Sequence, residues 1–162
     1  MSYPEPRYLG DGGETSATAR TGDAAPDLVL PATDVHYLAT GTSTGGDFGL
    51  YRWEMTGART GPGPHFHRSI TESFYVLDGT VRLYDGDHWT EATAGDFHFV
   101  PPGGIHAFRN ESGAPASMLL LFTPGAPREA YFEGLAELAA SGPELSPDEM
   151  TEFLRQHDQF MV

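Results

Sequence analysis

The chain has 162 residues, 39% of them apolar, which is ample for one hydrophobic core and short for two. Nine Lys and Arg against 23 Asp and Glu give a formal net charge of −14, a balance that repels phosphate backbones and anionic lipid and so argues against nucleic acid and membrane partners. There is no cysteine, which excludes disulfides, thiolate zinc sites and cysteine nucleophiles and leaves nitrogen and oxygen as the only metal ligands.

The opening MSYPEPRYLGDGGETS has neither a basic start nor an apolar stretch, and no later segment approaches the ~20 apolar residues of a membrane span, so the sequence reads as that of a soluble cytoplasmic protein. Residues 1–27 are rich in Gly, Pro, Ser, Thr and Ala without a periodic apolar face, and are expected to form an irregular arm. From residue 28 to about 124 the pattern changes to short β-type runs, among them VHYLAT, FGLYRWEMT, SFYVLDG, TVRLYDG, DFHFVP and SMLLLFT, punctuated by Gly, Pro, Asp and Asn. Many closely spaced strands without intervening helices predict an all-β antiparallel sandwich or barrel. Residues 125–162 are helical in grammar: Tyr131, Leu135 and Leu138 make an i, i+4, i+7 stripe interrupted by Gly134. Ser146, Pro147 and Glu149 then form a capping box ahead of a second helix whose inner face is Met150, Phe153 and Leu154. The two helices are expected outside the barrel or across its mouth.

Within the β region, His65 and His67 stand two apart, so on a strand they project to one face while Phe66 projects away. Glu72 follows after a polar RSIT turn, and if it faces inward, so do Phe74 and Val76. His106 lies behind the PPGG turn at 101–104, with Phe108 the next side chain on its face. An isolated H-x-H pair is weak evidence. Three imidazoles and a carboxylate inside a barrel without a cation would cost several kcal/mol, and a divalent metal removes that penalty. Among the remaining histidines, His36, His88 and His157 read as surface or boundary residues. In DFHFV either His98 or the pair Phe97 and Phe99 faces the cavity, and we place the phenylalanines inward. Phe48, Tyr51, Trp53 and Met55 read equally well as core or pocket wall.

These residues resemble the two motifs of the cupins. His65, His67, Glu72 and Gly79 fit G-x5-H-x-H-x3,4-E-x6-G, except that Arg59 stands at the opening glycine, with Gly57 and Gly61 nearby. Gly95, Pro101, Gly103, His106 and Asn110 match G-x5-P-x-G-x2-H-x3-N throughout. The resemblance implies a cupin jelly-roll β-barrel that holds one divalent first-row metal, Mn, Fe, Co, Ni, Cu or Zn, through His65, His67, Glu72 and His106.

Three neutral imidazoles and one carboxylate around such an ion leave a net charge of about +1 and, in six-coordination, about two open positions, a site suited to an anionic enolate or phenolate oxygen. Phe74, Val76, Phe97, Phe99 and Phe108 are the expected pocket residues for a flat, apolar substrate. The tail LLLFTPGAPREAYFEGLAELA is similar to that of bacterial quercetinase-like single-domain cupins. That similarity implies a metal-dependent dioxygenase that cleaves a flavonol-like enol or phenol with O₂, its oxygen anion on the metal and Glu72 as general base. Alternatives are a metal-dependent polyketide cyclase or isomerase that needs no O₂, in which Glu72 moves protons, and a small-molecule-binding cupin without turnover. Exposed sheet edges and the residue 1–40 arm suggest a homodimer.

Overall fold

The structure is a computed structural model that describes residues 2–141 and 145–162. Residues 2–27 carry no helix or strand. The chain then runs β1 (Leu28–Leu30), β2 (Thr33–Ala39), β3 (Gly49–Met55), β4 (His65–Phe66), β5 (Thr71–Asp78), β6 (Thr80–Tyr84), β7 (Trp89–Thr93), β8 (Phe97–Val100), β9 (Ala107–Arg109) and β10 (Ala116–Thr123). Helices α1 (Arg128–Ser141) and α2 (Pro147–Gln156) and a short β11 (Phe160–Met161) complete it. No helix among the described residues is long and apolar enough to cross a membrane.

All pairings are antiparallel, in a six-stranded sheet of order β1-β2-β3-β10-β5-β8, a three-stranded sheet β7-β6-β9 and the pair β11-β4. Side-chain alternation explains the layering. Along β10, Ala116, Met118, Leu120 and Phe122 are buried while the residues between them are half-exposed; along β3, Tyr51, Trp53 and Met55 meet them from the neighbouring strand. The inward faces close on one core that also takes Val76, Val81, Leu83 and Phe108.

Two segments outside the regular strands tie the sheets together. His65 and His106 exchange backbone hydrogen bonds, as do Thr60 and Asn110. Between those bridges Gly61 adopts φ 124°, and a Cβ there would sit 2.0 Å from the Phe108 carbonyl oxygen. Arg59 stands where a glycine was expected, and Gly61 is the residue that lets this segment press against β9.

The helices lie over the barrel mouth. Tyr131 and Phe132 of α1 are buried in the core, and Phe153 and Leu154 of α2 pack against it. Gly134, which interrupts the apolar stripe of α1, is where the helices touch: a Cβ there would come 2.8 Å from the Phe153 ring. The capping box forms as the sequence predicts, with Ser146 Oγ accepting from Glu149 N and Glu149 Oε2 accepting from Ser146 N. Strand β11 has no counterpart among the expected strands. A two-residue strand carries too little pattern to be seen before its partner β4 is in place.

Two stability outcomes follow from these contacts. Ser146→Ala removes a cap worth about 1 kcal/mol, so the melting temperature should fall by roughly 2–4 °C. Gly61→Ala combines a left-handed φ with a backbone clash and should cost on the order of 3 kcal/mol or more. A melting curve for the Gly61 variant that overlays the parent would contradict the close approach to β9.

Candidate metal centre

His65 lies in β4 and His67 one residue beyond it, and strand parity sends both rings inward; each residue is 2% exposed. Phe66 between them turns outward, where its ring stacks on Phe160 of β11 at 5.2 Å. The chain then turns at Arg68 and Ser69, anchored by buried Ile70, and Glu72 enters at the start of β5 opposite Phe122 and Val100. His106 arrives from the PPGG turn, whose Gly103 N–H donates to the His67 carbonyl at 2.7 Å. Four ligand-type atoms from His65, His67, Glu72 and His106 thus lie within 4.8 Å of one another, all from buried residues. Asn110, last residue of the second motif, has a structural role: fully buried, it donates to the carbonyls of Thr56 and Ala114 and accepts from Ser112.

The outer nitrogens of the three rings fix what the inner ones can do. His65 Nδ1 faces the Gly63 carbonyl at 2.8 Å, His67 Nδ1 the Asp158 carbonyl at 2.6 Å and His106 Nδ1 the Gly104 carbonyl at 3.0 Å. A carbonyl only accepts, so the one proton of a neutral imidazole sits on Nδ1 and the Nε2 lone pair points inward. Nε2 of His67 and of His106 lie 3.1 and 2.8 Å from Glu72 Oε2. Lone pair against lone pair at that range requires a cation, either a proton on a ring or a metal. Two ligands at right angles about 2.1 Å from a common ion stand about 3 Å apart, so the donor set and its spacing fit a first-row divalent metal.

Protonation follows the same contacts. Burial and the charge of His106 push His65 down to about 4. Burial alone would lower His106 as well, but the Glu72 carboxylate outweighs it and raises His106 above its ordinary value. Burial would raise Glu72, yet hydrogen bonds from His106 and His67 outweigh it and hold the carboxyl below the usual carboxylate range.

Next to the cluster is a cavity of about 330 Å³, to which His65 and Glu72 contribute along with apolar side chains from the barrel and the helices. Of the expected pocket residues, Phe108 lines it. Phe74 and Val76 face inward as parity predicts but are buried in the core, Phe74 packing behind His106 with ring centres 6.0 Å apart. Phe97 and Phe99 correct our expectation: they are 63% and 56% exposed on the outer face, and His98 takes the inward side against Phe74 at 6.1 Å. The register decides it, because His98 pairs with inward-facing Phe74 while Phe97 and Phe99 pair with Tyr75 and Ser73. His88 is exposed and His157 half-buried as expected, whereas His36 is not at the surface: it is 4% exposed, held between Arg52 and Glu54. Trp53 proves to be pocket wall, and Tyr51 and Met55 core.

Three residues of the site lay outside the sequence reading. Asp158, at φ 56°, gives its carbonyl to His67 while its carboxylate accepts from Arg68 N, Ser69 N and Ser69 Oγ. Gln159 and Arg128, 3% and 4% exposed, line the cavity. One signal was legible: Arg128 opens α1, where the helix dipole disfavours a cation, so its position calls for another cause.

Comparison with known proteins agrees with this architecture. A family model described as "Cupin domain" matches residues 51–122. Quercetin 2,3-dioxygenase of Bacillus subtilis (strain 168) is 30% identical over 73 residues, 45% of this chain and 21% of that enzyme. The chain spans about half or less of the length of the curated relatives it matches. Among solved structures, KdgF from Halomonas sp. superposes with a TM-score of 0.61 at 16% identity, covering 71% of this chain and 99% of that one. The polyketide cyclase RemF from Streptomyces resistomycificus gives a TM-score of 0.53 at 24% identity, covering 67% of this chain and 78% of that one. Residues 51–122, which contain both histidine-bearing segments and the strands that hold them, match the cupin domain model, and the fold of the chain is similar to that of the solved structures above.

Proposed function

We propose that the chain is a metal-dependent dioxygenase of quercetinase type, acting on a flat enol or phenol. The observation that carries this reading is Glu72, a buried carboxylate that belongs both to the four-residue cluster and to the wall of an aromatic cavity of about 330 Å³. A volume at the small end of ligand pockets, lined by Trp53, Phe108 and Phe132 together with several leucines, suits a flat apolar ring system. His65, His67, Glu72 and His106 would hold a divalent metal, which supplies Lewis acidity toward an enol oxygen and, with a redox-active ion, a means of using O₂. Glu72 faces the substrate space, so its carboxylate is the group placed to accept the enol proton as the anion forms. Helix residues Phe132, Leu135 and Leu154 add apolar wall to the cavity, and His67 and His106, each tied to a backbone carbonyl, keep the carboxylate oriented for that transfer. The partial resemblance to the Bacillus subtilis quercetin 2,3-dioxygenase supports the choice of reaction.

The fold shared with the polyketide cyclase RemF favours a second reading, in which the same base moves protons on a dicarbonyl substrate without O₂. An oxygen electrode separates the two. Flavonol turnover should consume O₂ stoichiometrically, and product formation at an undiminished rate under strict anaerobiosis would transfer the assignment to the cyclase.

Three further outcomes test the centre. His67→Ala should lose stoichiometric metal by elemental analysis, and full retention would refute its ligand role. Glu72→Gln should lower turnover by about 10²–10⁴-fold, with activity near the parent's excluding it as base. Metal affinity should depend on pH. In the metal-free protein the Glu72 carboxylate makes His106 hold its proton to higher pH than an ordinary imidazole, so the His106–Glu72 ion pair stabilises that state at lower pH, and the stabilisation is lost as pH rises through the raised value. A metal needs the lone pair that the proton occupies, so affinity should climb as pH rises through the raised His106 value, with proton release, read by calorimetry in buffers of different ionisation heat. A flat profile would count against His106 as a ligand.

A further inference from the structure

Arg128 is a buried cation with no carboxylate at ion-pair distance; Glu72 and Asp158 act on it only from farther away. None of the ion pairs formed among the described residues includes it. Its guanidinium lies 4.4 Å from the Tyr131 ring centre and 5.1 Å from that of Phe122. Nη1 donates to the His157 carbonyl at 2.7 Å, Nη2 reaches Gln159 Oε1 only at 3.5 Å, and Nε has no partner. Five donors in a fixed fork are thus mostly unused. Gln159, beside it in the wall, donates to the Tyr131 hydroxyl, and its amide nitrogen also reaches the Met161 sulfur at 3.8 Å. Tying down the C-terminal segment explains one of these bonds and the ring contacts. It leaves unexplained the charge, the free donors and the presence of both residues in the wall of the cavity that also holds Glu72.

The charge count points the same way. A divalent ion, one carboxylate and Arg128 sum to +2 in a cavity with apolar walls, in a chain whose net charge is −14. An enolate oxygen neutralises one of these charges; the Asp158 carboxylate also acts on Arg128 but is tied to the Arg68–Ser69 turn outside the cavity wall, which leaves the cavity suited to a second anionic group.

We propose that Arg128, assisted by Gln159, is the carboxylate-binding end of the cavity, and that the substrate is a flat enolic or phenolic acid rather than a neutral flavonol. The inference rests on the cavity being the substrate site. It narrows the substrate class and makes Arg128 the specificity-determining residue.

The test uses protein loaded with zinc, which is redox-inert, titrated by calorimetry with 3-hydroxy-2-naphthoate and with 2-naphthol, the same ring without the acid. The wild type should bind the acid at least about tenfold more tightly. Compared at equal zinc occupancy, Arg128→Gln should remove that preference, the acid losing at least about tenfold more affinity than 2-naphthol. Equal affinities in the wild type overturn the inference, as does a preference that survives Arg128→Gln, because the acid is then read by the metal. If the Gln variant does not fold, Arg128→Lys, which keeps the charge and loses the fork, should still weaken acid binding severalfold. If neither folds, metal-free wild type decides: a preference retained without zinc supports Arg128, and one that vanishes overturns it. Because no O₂ step is involved, an Arg128-dependent acid preference without O₂ uptake would sink only the dioxygenase reading. O₂-dependent cleavage of neutral flavonols with no acid preference would sink only this one.

Discussion

Three backbone carbonyls, those of Gly63, Asp158 and Gly104, accept the Nδ1 protons of His65, His67 and His106 and so turn three Nε2 lone pairs onto one point beside Glu72. That constraint organises much of the rest. To place Gly63 and Gly104, the segments carrying His65 and His106 must run antiparallel and in contact, which they do through reciprocal backbone bonds. To place Asp158, the chain must return from α2 to β4. Glu72 then completes the set from β5, a strand held on both sides by β10 and β8.

The C-terminal segment therefore does more than cover the barrel. Asp158 binds the Arg68–Ser69 turn with its carboxylate and His67 with its carbonyl, from a left-handed backbone conformation that a short polar side chain tolerates better than a bulky one. Arg128 holds the preceding carbonyl of His157, and β11 pairs with β4. The ring orientation of one candidate ligand and the closure of the cavity thus depend on the same few residues, all beyond the matched cupin domain. Without this segment His67 loses the carbonyl partner that fixes its tautomer.

The cavity differs from the core in kind. Phe74 and Val76 are as inward-facing as Phe108, yet only Phe108 meets open space. Phe74 instead braces His106, so an aromatic that reads as a substrate contact is support for a ligand. Polar atoms enter the wall from the barrel as His65 and Glu72 and from the cap as Arg128 and Gln159, so the candidate metal ligands and the guanidinium donors come from different parts of the fold.

Short-range chemistry was legible in the sequence. Period-two spacing put His65 and His67 on one face, the interval to Glu72 allowed its return, and the PPGG turn set His106 apart on its own segment; Ser146, Pro147 and Glu149 announced a helix start that needs only local hydrogen bonds. Those features depend on residues a few positions apart, where backbone geometry fixes direction. What lay beyond reach depends on strand register and on contacts between distant segments. Phe97 and Phe99 or His98 could face inward with equal local consistency, and only pairing with Tyr75, Phe74 and Ser73 on β5 decided between them. Arg128, a cation at the unfavourable end of a helix, hinted at another role, but its burial depends on Phe122, Tyr131 and the 157–159 segment closing around it. The sequence by itself determined which atoms could bind a metal; the tertiary structure decided which carbonyls aim them and which charged group shares their cavity, because both depend on chain segments tens of residues apart being packed together.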